Sequence, residues 1–321
     1  LFANRPQAAR KVHRLTHAVL LLDEVQALPP GRLTPILDAL QRLSAYHTTV
    51  VLSTATQPAF EVVPGMRALD AREIVPQPER YFHALERVRY EWWLDEALPW
   101  GDVAAEMMNA RQAMAVVNTR RDAQTLYATL CAQDPEALHL SAAMCGLHKS
   151  RVIAELRRRL ATGGTCRLVA TQVVEAGVDL DFPLVLRALG PLDAIIQAAG
   201  RCNREGRLPY GRVVVFEPAD GGLPLGAYKT ATGITRAVLG AGDLDPNSPQ
   251  AARPYYTRLF DTVDADSDDV QGCRRRLDYA ETARRFRMID DDAEAVVVPF
   301  GTAKERSRAQ RALDDLVAHR G

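Results

Sequence analysis

The stretch LVATQVVEAGVDLDFPLVLRALGPLDAIIQAAGRCNREGR, Leu168 to Arg207, decides how this chain is read. An apolar run stops at the polar pair Thr171-Gln172, and a helical pattern follows shortly afterwards. Leu192, Ile195, Ile196 and Ala199 recur with the helical period and form an apolar stripe. Gln197, Arg201 and Arg204 are spaced i, i+4 and i+7, so a continuous helix would bring them onto one face. Two fixed positive charges there, on a helix whose other stripe is buried, suit a triphosphate.

Upstream, the same strand-then-polar arrangement recurs. The unbroken apolar run Ala18 to Leu22 ends at once in Asp23-Glu24-Val25-Gln26. Its lack of alternation predicts a strand buried on both faces of a parallel sheet. Ligands of such sheets bind at the carboxyl ends of the strands. A carboxylate pair there can hold Mg²⁺ and polarise a water; its bland counterpart is a solvated acidic loop. Thr49 to Leu52 ends in Ser53-Thr54-Ala55-Thr56-Gln57-Pro58, Ala113 to Val117 in Asn118-Thr119, and Arg167 to Ala170 in Thr171-Gln172. Four polar strand ends in two α/β segments predict two stacked doubly wound domains with a ligand cleft between them.

The intervening segments fit this plan. Leu33, Ile36, Leu37 and Leu40 predict a helix face, and Thr119 with Asp122 predicts the cap of another helix, which continues through Leu126 and Leu130. The exposed N-terminus of that second helix could take a backbone phosphate. Leu138 to Ser141 and Val213 to Phe216 read as further strands, and Val152, Leu156 and Leu160 as a helix with Arg157 to Arg159 on its solvated side. Arg87 to Trp93 reads as a strand, Pro99-Trp100-Gly101 as a break, and the domain boundary falls near residue 95. Trp92, Trp93 and Trp100 are expected to pack between domains rather than stack on bases. Beyond Glu217 the Gly- and Pro-containing stretch through Gln250 reads as a loose connection, with a last strand at Ala295 to Val298 and a last helix at Ala303 to Val317.

Composition narrows the classes. Lys plus Arg and Asp plus Glu each total 40, so no global field draws the chain to nucleic acid, and any such contact must be a local groove. The five cysteines contain no C-x-x-C pair and read as reduced thiols, which fits a cytoplasmic protein without a disulfide framework or zinc site. No apolar stretch approaches the ~20 residues of a membrane span.

The ordered set DEVQ (Asp23 to Gln26), STATQP (Ser53 to Pro58), VVNT (Val116 to Thr119), VATQVVEAGVDLDF (Val169 to Phe182) and QAAGRCNREGR (Gln197 to Arg207) resembles the motifs of superfamily-two helicases in their proper order. It is most similar to the CRISPR-associated helicase–nuclease of type I systems, well from Leu15 to Glu217 and loosely thereafter. The resemblance implies an α/β fold of two RecA-like parallel-sheet domains, the first truncated at its N-terminus, plus an α+β C-terminal segment. The corresponding divisions are residues 1–94, 95–220 and 221–321.

It also implies ATP and Mg²⁺ as cofactors. Asp23 would bind the metal, Glu24 would orient and deprotonate the attacking water, and Gln26 would couple the nucleotide site to the other motifs. Thr54 and Thr56 would link hydrolysis to domain movement, while Asn118, Thr119, Thr171 and Gln172 would sit at the nucleic-acid backbone. Gly177 and Asp179 would approach ATP, Gln197 would help hold the site closed, and Arg201 and Arg204 would be arginine fingers. Single-stranded DNA and a crRNA-guided, Cascade-like surveillance complex would be the partners, in antiviral defence, with no membrane involved.

The chain departs from the family pattern in having no Gly-Lys dipeptide and no His followed by Asp, so the phosphate loop and the HD nuclease are expected upstream of Leu1. Ala198 stands where many helicases place arginine. The isolated polypeptide is then expected neither to hydrolyse ATP well nor to cut DNA. Two alternatives share these residues: a general superfamily-two helicase of repair or RNA metabolism, and a non-catalytic nucleic-acid-binding module.

Overall fold

The computed structural model describes residues 2, 7, 10–56, 58–63, 65–66, 71–175, 177–242, 244–288, 296 and 298–318. In chain order the first elements are β1 (Val19–Leu22), α1 (Leu33–Ala45), β2 (Thr49–Leu52) and α2 (Pro78–Ala84). Next come β3 (Val88–Leu98), α3 (Trp100–Asn109), β4 (Gln112–Val116), α4 (Arg120–Cys131), β5 (Leu138–Leu140), α5 (Gly146–Ala161) and β6 (Cys166–Ala170). β7 (Leu184–Ala188), α6 (Leu192–Ala199) and β8 (Gly211–Pro218) follow. Five helices complete the order: α7 (Ala227–Leu239), α8 (Ala252–Thr262), α9 (Val270–Arg275), α10 (Tyr279–Arg285) and α11 (Ala303–Ala318).

The chain divides into two compact units. The first comprises Leu1–Glu86, Pro191–Ile196 and Leu225–Asp291; the second comprises Arg87–Gly190, Gln197–Pro224 and Asp292–Gly321. The stretch after residue 220 is thus shared between the units, and the reason lies in its burial pattern. Tyr255, Tyr256, Leu259 and Phe260 form one face of α8 and are buried in the same core as Leu33, Leu37 and Phe60. The stretch expected as a loose connection therefore holds α7, and α8 follows it directly. Their apolar residues recur every three to four positions, which overrides the breaking tendency of the glycines around them.

In the first unit β1 and β2 pair in parallel, Leu22 opposite Leu52, and α1 buries Leu33, Ile36, Leu37, Leu40 and Leu43 at helical spacing. β1 is not buried on both faces as its sequence predicts. Val19 is 73% and Leu21 64% exposed, because only the alternate residues Leu20 and Leu22 pack against the core.

The second unit is built on an all-parallel sheet of six strands, in the order β3-β8-β7-β4-β6-β5. β4, β6 and β7 lie inside it, and nearly every residue of these strands is buried, as their continuous apolar runs require. β3 pairs with β8 from Val88 onward, so the chain enters this sheet some residues before 95. Pro99 caps α3 rather than breaking the chain: its fixed φ suits a helix start, and Trp100 turns into the core edge-on to Phe216. Trp100 therefore packs within this unit. Thr119 caps α4 by accepting from the Asp122 amide, as its spacing predicts. The strand expected at Ala295 to Val298 includes residues 295 and 297, outside the described set. No helix among the described residues is long and apolar enough to cross a membrane.

Candidate functional site

The first unit places its motif residues at the adjoining carboxyl ends of β1 and β2. The Ser53 amide donates to Leu22 O at 2.8 Å and the Val25 amide to Ser53 O at 3.2 Å, which stitches the two turns together. Between them Glu24 adopts a left-handed conformation, φ 53° and ψ 46°. For a residue with a Cβ this costs about 1–2 kcal/mol. The Glu24 amide offsets part of that cost by donating to Asp23 Oδ1 at 3.0 Å.

Behind them the Gln26 side chain is buried. Its Nε2 donates to Glu24 Oε2, and its Oε1 accepts from Thr54 Oγ1 at 2.5 Å. Thr54 Oγ1 accepts in turn from the Thr56 amide at 3.1 Å. Asp23, Glu24, Gln26, Thr54 and Thr56 are therefore brought together. The described residues hold no cluster of three or more His, Cys, Asp or Glu side chains able to cage a metal. A pair of exposed carboxylates suits a hard cation that keeps most of its waters, which is the habit of Mg²⁺.

In the second unit β4 and β6 end side by side, Val116 opposite Ala170, and so bring Asn118 next to Thr171 and Gln172. Their side chains face inward. Asn118 is buried and donates through Nδ2 to Leu189 O at 2.8 Å, while Gln172 Nε2 donates to Asn118 O at 2.8 Å. Thr171 is also buried. Asn118 thus braces this end of the sheet from within. The start of α4 is covered as well: the Gly222 amide donates to both Asp122 carboxylate oxygens, at 3.2 and 3.1 Å.

The helical face expected for Gln197, Arg201 and Arg204 does not form, because α6 ends at Ala199. The chain then turns: Cys202 makes a β-bridge to Phe182, and Asn203 takes φ 44°. Asn tolerates that conformation, and here its side chain closes the loop by donating to Arg87 O and Leu208 O and accepting from the Leu208 amide. Gly211 completes the fit, since a Cβ there would lie 2.5 Å from Cys202 Sγ. Burial pushes the Cys202 thiol up to about 12, with Asp181 adding to the shift, so this cysteine stays protonated.

Both arginines of this loop are engaged. Arg201 Nε donates to Val174 O at 2.9 Å and its Nη2 to Glu175 O at 2.7 Å. Arg204 pairs with Asp179 at 2.9 Å on the surface, while Asp181 accepts from the Arg204 amide at 2.7 Å. Gly177, at φ 74°, gives the segment between Glu175 and Asp179 its turn.

The network contains residues that motif reading missed. Arg187, in the middle of the sheet on β7, is 0% exposed. It pairs with Glu175 at 3.0 Å and donates to Asn118 Oδ1 at 2.8 Å and to Ala188 O at 2.7 Å. One buried guanidinium therefore braces Asn118, two residues past β4, and the turn that carries Arg201's acceptors. The signal was present in LVLRA: a charge inside an apolar run is buried only when paired.

Residues 109–207 match the family described as CRISPR-associated nuclease/helicase Cas3, C-terminal. The chain is 23% identical over 325 residues to the Cas3 nuclease/helicase of Methanothermobacter thermautotrophicus, covering 94% of this chain and 36% of that protein. With the Cas3 of Haloferax volcanii it shares 27% identity over 307 residues, 65% of this chain and 32% of that one. The chain thus spans about a third of the length of these curated relatives. Among solved structures, T. fusca Cas3 with ADP superimposes at a TM-score of 0.60 and 18% identity, over 89% of this chain and 40% of that chain. T. fusca Cas3 with ATP gives 0.59 at 21% identity, over 88% and 40%. These likenesses agree with RecA-like α/β architecture. Residues 109–207 are thus similar to the C-terminal domain of the Cas3 helicase–nuclease family, and the likeness to Cas3 proteins extends through most of the remaining residues.

Proposed function

We propose that this chain is part of the ATP-driven motor of a Cas3-type enzyme that moves along single-stranded DNA. In that role it would deliver target strands, presented by a crRNA-guided surveillance complex, to a nuclease. The observation that carries the reading is the conformation of Glu24: a strained, exposed carboxylate at a strand end, held by a buried glutamine that is itself bonded to Thr54. Strain of that kind concentrates at functional sites.

ATP bound with Mg²⁺ supplies a γ-phosphoryl group for transfer to water. Asp23 would hold the cation, largely through its waters, with the oxygen not already accepting from Glu24. Glu24 would orient the attacking water and take its proton, and Gln26 would keep the carboxylate in place. Arg201 and Arg204 would exchange their present partners, two carbonyls and an exposed carboxylate, for phosphate oxygens. An exposed Arg–Asp pair is worth at most about 1 kcal/mol, so Arg204 can leave it readily. In the second unit Asn118, Thr171 and Gln172 would shape the DNA-facing segment from within, and contact with backbone phosphates would fall to amides and hydroxyls around them. The same residues would serve a general superfamily-two helicase; the Cas3-specific match over residues 109–207 favours the first reading.

In the natural full-length protein containing this chain, Glu24→Gln should lower DNA-stimulated ATP hydrolysis by roughly 10²–10⁴-fold, the range of general-base catalysis, while ATP binding persists. Wild-type turnover in that variant would remove Glu24 from the reaction.

A further inference from the structure

We infer that Tyr256 of α8 is a positioning residue for the Ser53–Thr56 turn and, through it, for Gln26 and Glu24. The inference rests on the ATPase reading above for its consequence, but not for its geometry. Thr56 Oγ1 and the Tyr256 hydroxyl lie 3.0 Å apart in a buried contact, 200 residues distant in sequence. From there the bonds run without a gap. The Thr56 amide donates to Thr54 Oγ1, Thr54 Oγ1 donates to Gln26 Oε1, and Gln26 Nε2 donates to Glu24 Oε2. A residue of the C-terminal stretch is therefore joined to the proposed general base through three side chains.

The chemistry of Thr54 makes the link directional. A threonine hydroxyl carries one hydrogen. Thr54 Oγ1 has two acceptors in reach, Gln26 Oε1 at 2.5 Å and Thr56 O at 2.7 Å, and can serve only one at a time. Whichever way Thr56 is held decides whether its carbonyl competes with Gln26. Tyr256 is what holds it. Its ring is fixed by Phe260, centroids 5.6 Å apart, and by Tyr255 at 5.0 Å, so the hydroxyl has little freedom to follow the turn. Burial raises the Tyr256 phenol far above its ordinary range, which keeps it protonated as a hydrogen-bonding group.

Tyr255 provides an internal comparison. It is equally buried, but its hydroxyl donates to Asp193 Oδ1 at 3.1 Å and lies outside the chain of bonds to Glu24. A cavity of about 200 Å³ beside both tyrosines, lined also by Gln26, Pro58 and Asp193, leaves the Gln26 amide room to change orientation.

The test compares Tyr256→Phe with Tyr255→Phe, each losing one buried hydroxyl and keeping its ring. Amide hydrogen exchange at Thr56 should accelerate roughly five-fold in Tyr256→Phe, the loss of one net hydrogen bond, and stay unchanged in Tyr255→Phe. Thr56→Val should do the same and add nothing to Tyr256→Phe, whereas Thr56→Ser should restore protection. In the full-length protein Tyr256→Phe should lower kcat for ATP several-fold with KM for ATP unchanged. Unchanged Thr56 exchange in Tyr256→Phe, equal acceleration in both tyrosine variants, or additive effects of Tyr256→Phe and Thr56→Val would each overturn the inference. Accelerated exchange confined to Tyr256→Phe, alongside undiminished turnover in Glu24→Gln, would uphold the positioning role and sink the ATPase reading instead.

Discussion

The two units place similar polar residues at the ends of parallel strands and use them in opposite ways. At the ends of β1 and β2 the carboxylates of Asp23 and Glu24 stand exposed, with Glu24 in a left-handed backbone conformation. At the ends of β4 and β6 the side chains of Asn118 and Thr171 are buried and turned into the sheet, where Arg187 and Leu189 O meet Asn118. In the second sheet β4 sits between β6 and β7, so its end is flanked on both sides. The first arrangement leaves carboxylates open to solvent; the second fixes the backbone from within.

Three tests would break or sharpen that contrast. Arg201→Ala carries the largest expected effect, because Arg201 is the guanidinium of the second unit proposed to leave its brace and act on phosphate. ATP turnover of the full-length protein should fall by roughly 10³-fold or more, the range for an arginine finger, with DNA affinity changed only slightly. A loss of DNA affinity alone would place Arg201 outside the nucleotide site. Arg187→Met should strip Glu175 of its buried counter-charge and lower unfolding free energy by about 3–5 kcal/mol in chemical denaturation. Adding Glu175→Met should recover much of it, since an apolar pair leaves no buried charge. Failure of the second change to recover stability would mean that the pair does more than brace. Thr119→Ala should be the mildest, removing the α4 cap for about 1 kcal/mol and lowering the melting temperature without altering turnover. A turnover defect in Thr119→Ala at unchanged stability would place an active group at the second unit's strand ends after all.

Legibility in the sequence tracked how local the cause was. The runs Ala113 to Val117 and Arg167 to Ala170 are apolar for a reason contained within them, and both became interior strands. The cap at Thr119 needed only Asp122 three residues away. β7 was harder to see because Arg187 interrupts its apolar run, and only Glu175 and Asn118, distant in sequence, explain why a guanidinium is tolerated there. α3 hid behind Pro99-Trp100-Gly101, three residues that read as punctuation until Trp100 is seen in the core. The end of α6 was set by Phe182 and Asp181, about twenty residues upstream, so the 3.6-residue period ran on through Arg204 on paper and not in space. Among the motif residues, Gln26 meets Thr54 across two strand ends, whereas the spacing that joined Gln197, Arg201 and Arg204 did not hold in space. Spacing said nothing of whether their side chains face outward, because that is set by partners distant in sequence.

The left-handed φ of Glu24 has a consequence for anyone who breeds this protein for robustness. Glycine would take that backbone shape without the steric cost a Cβ incurs. A library sorted only for heat resistance would therefore be drawn toward glycine at position 24 and away from the proposed general base. On that reading endurance and chemistry select in opposite directions here, and a screen must reward turnover to keep both.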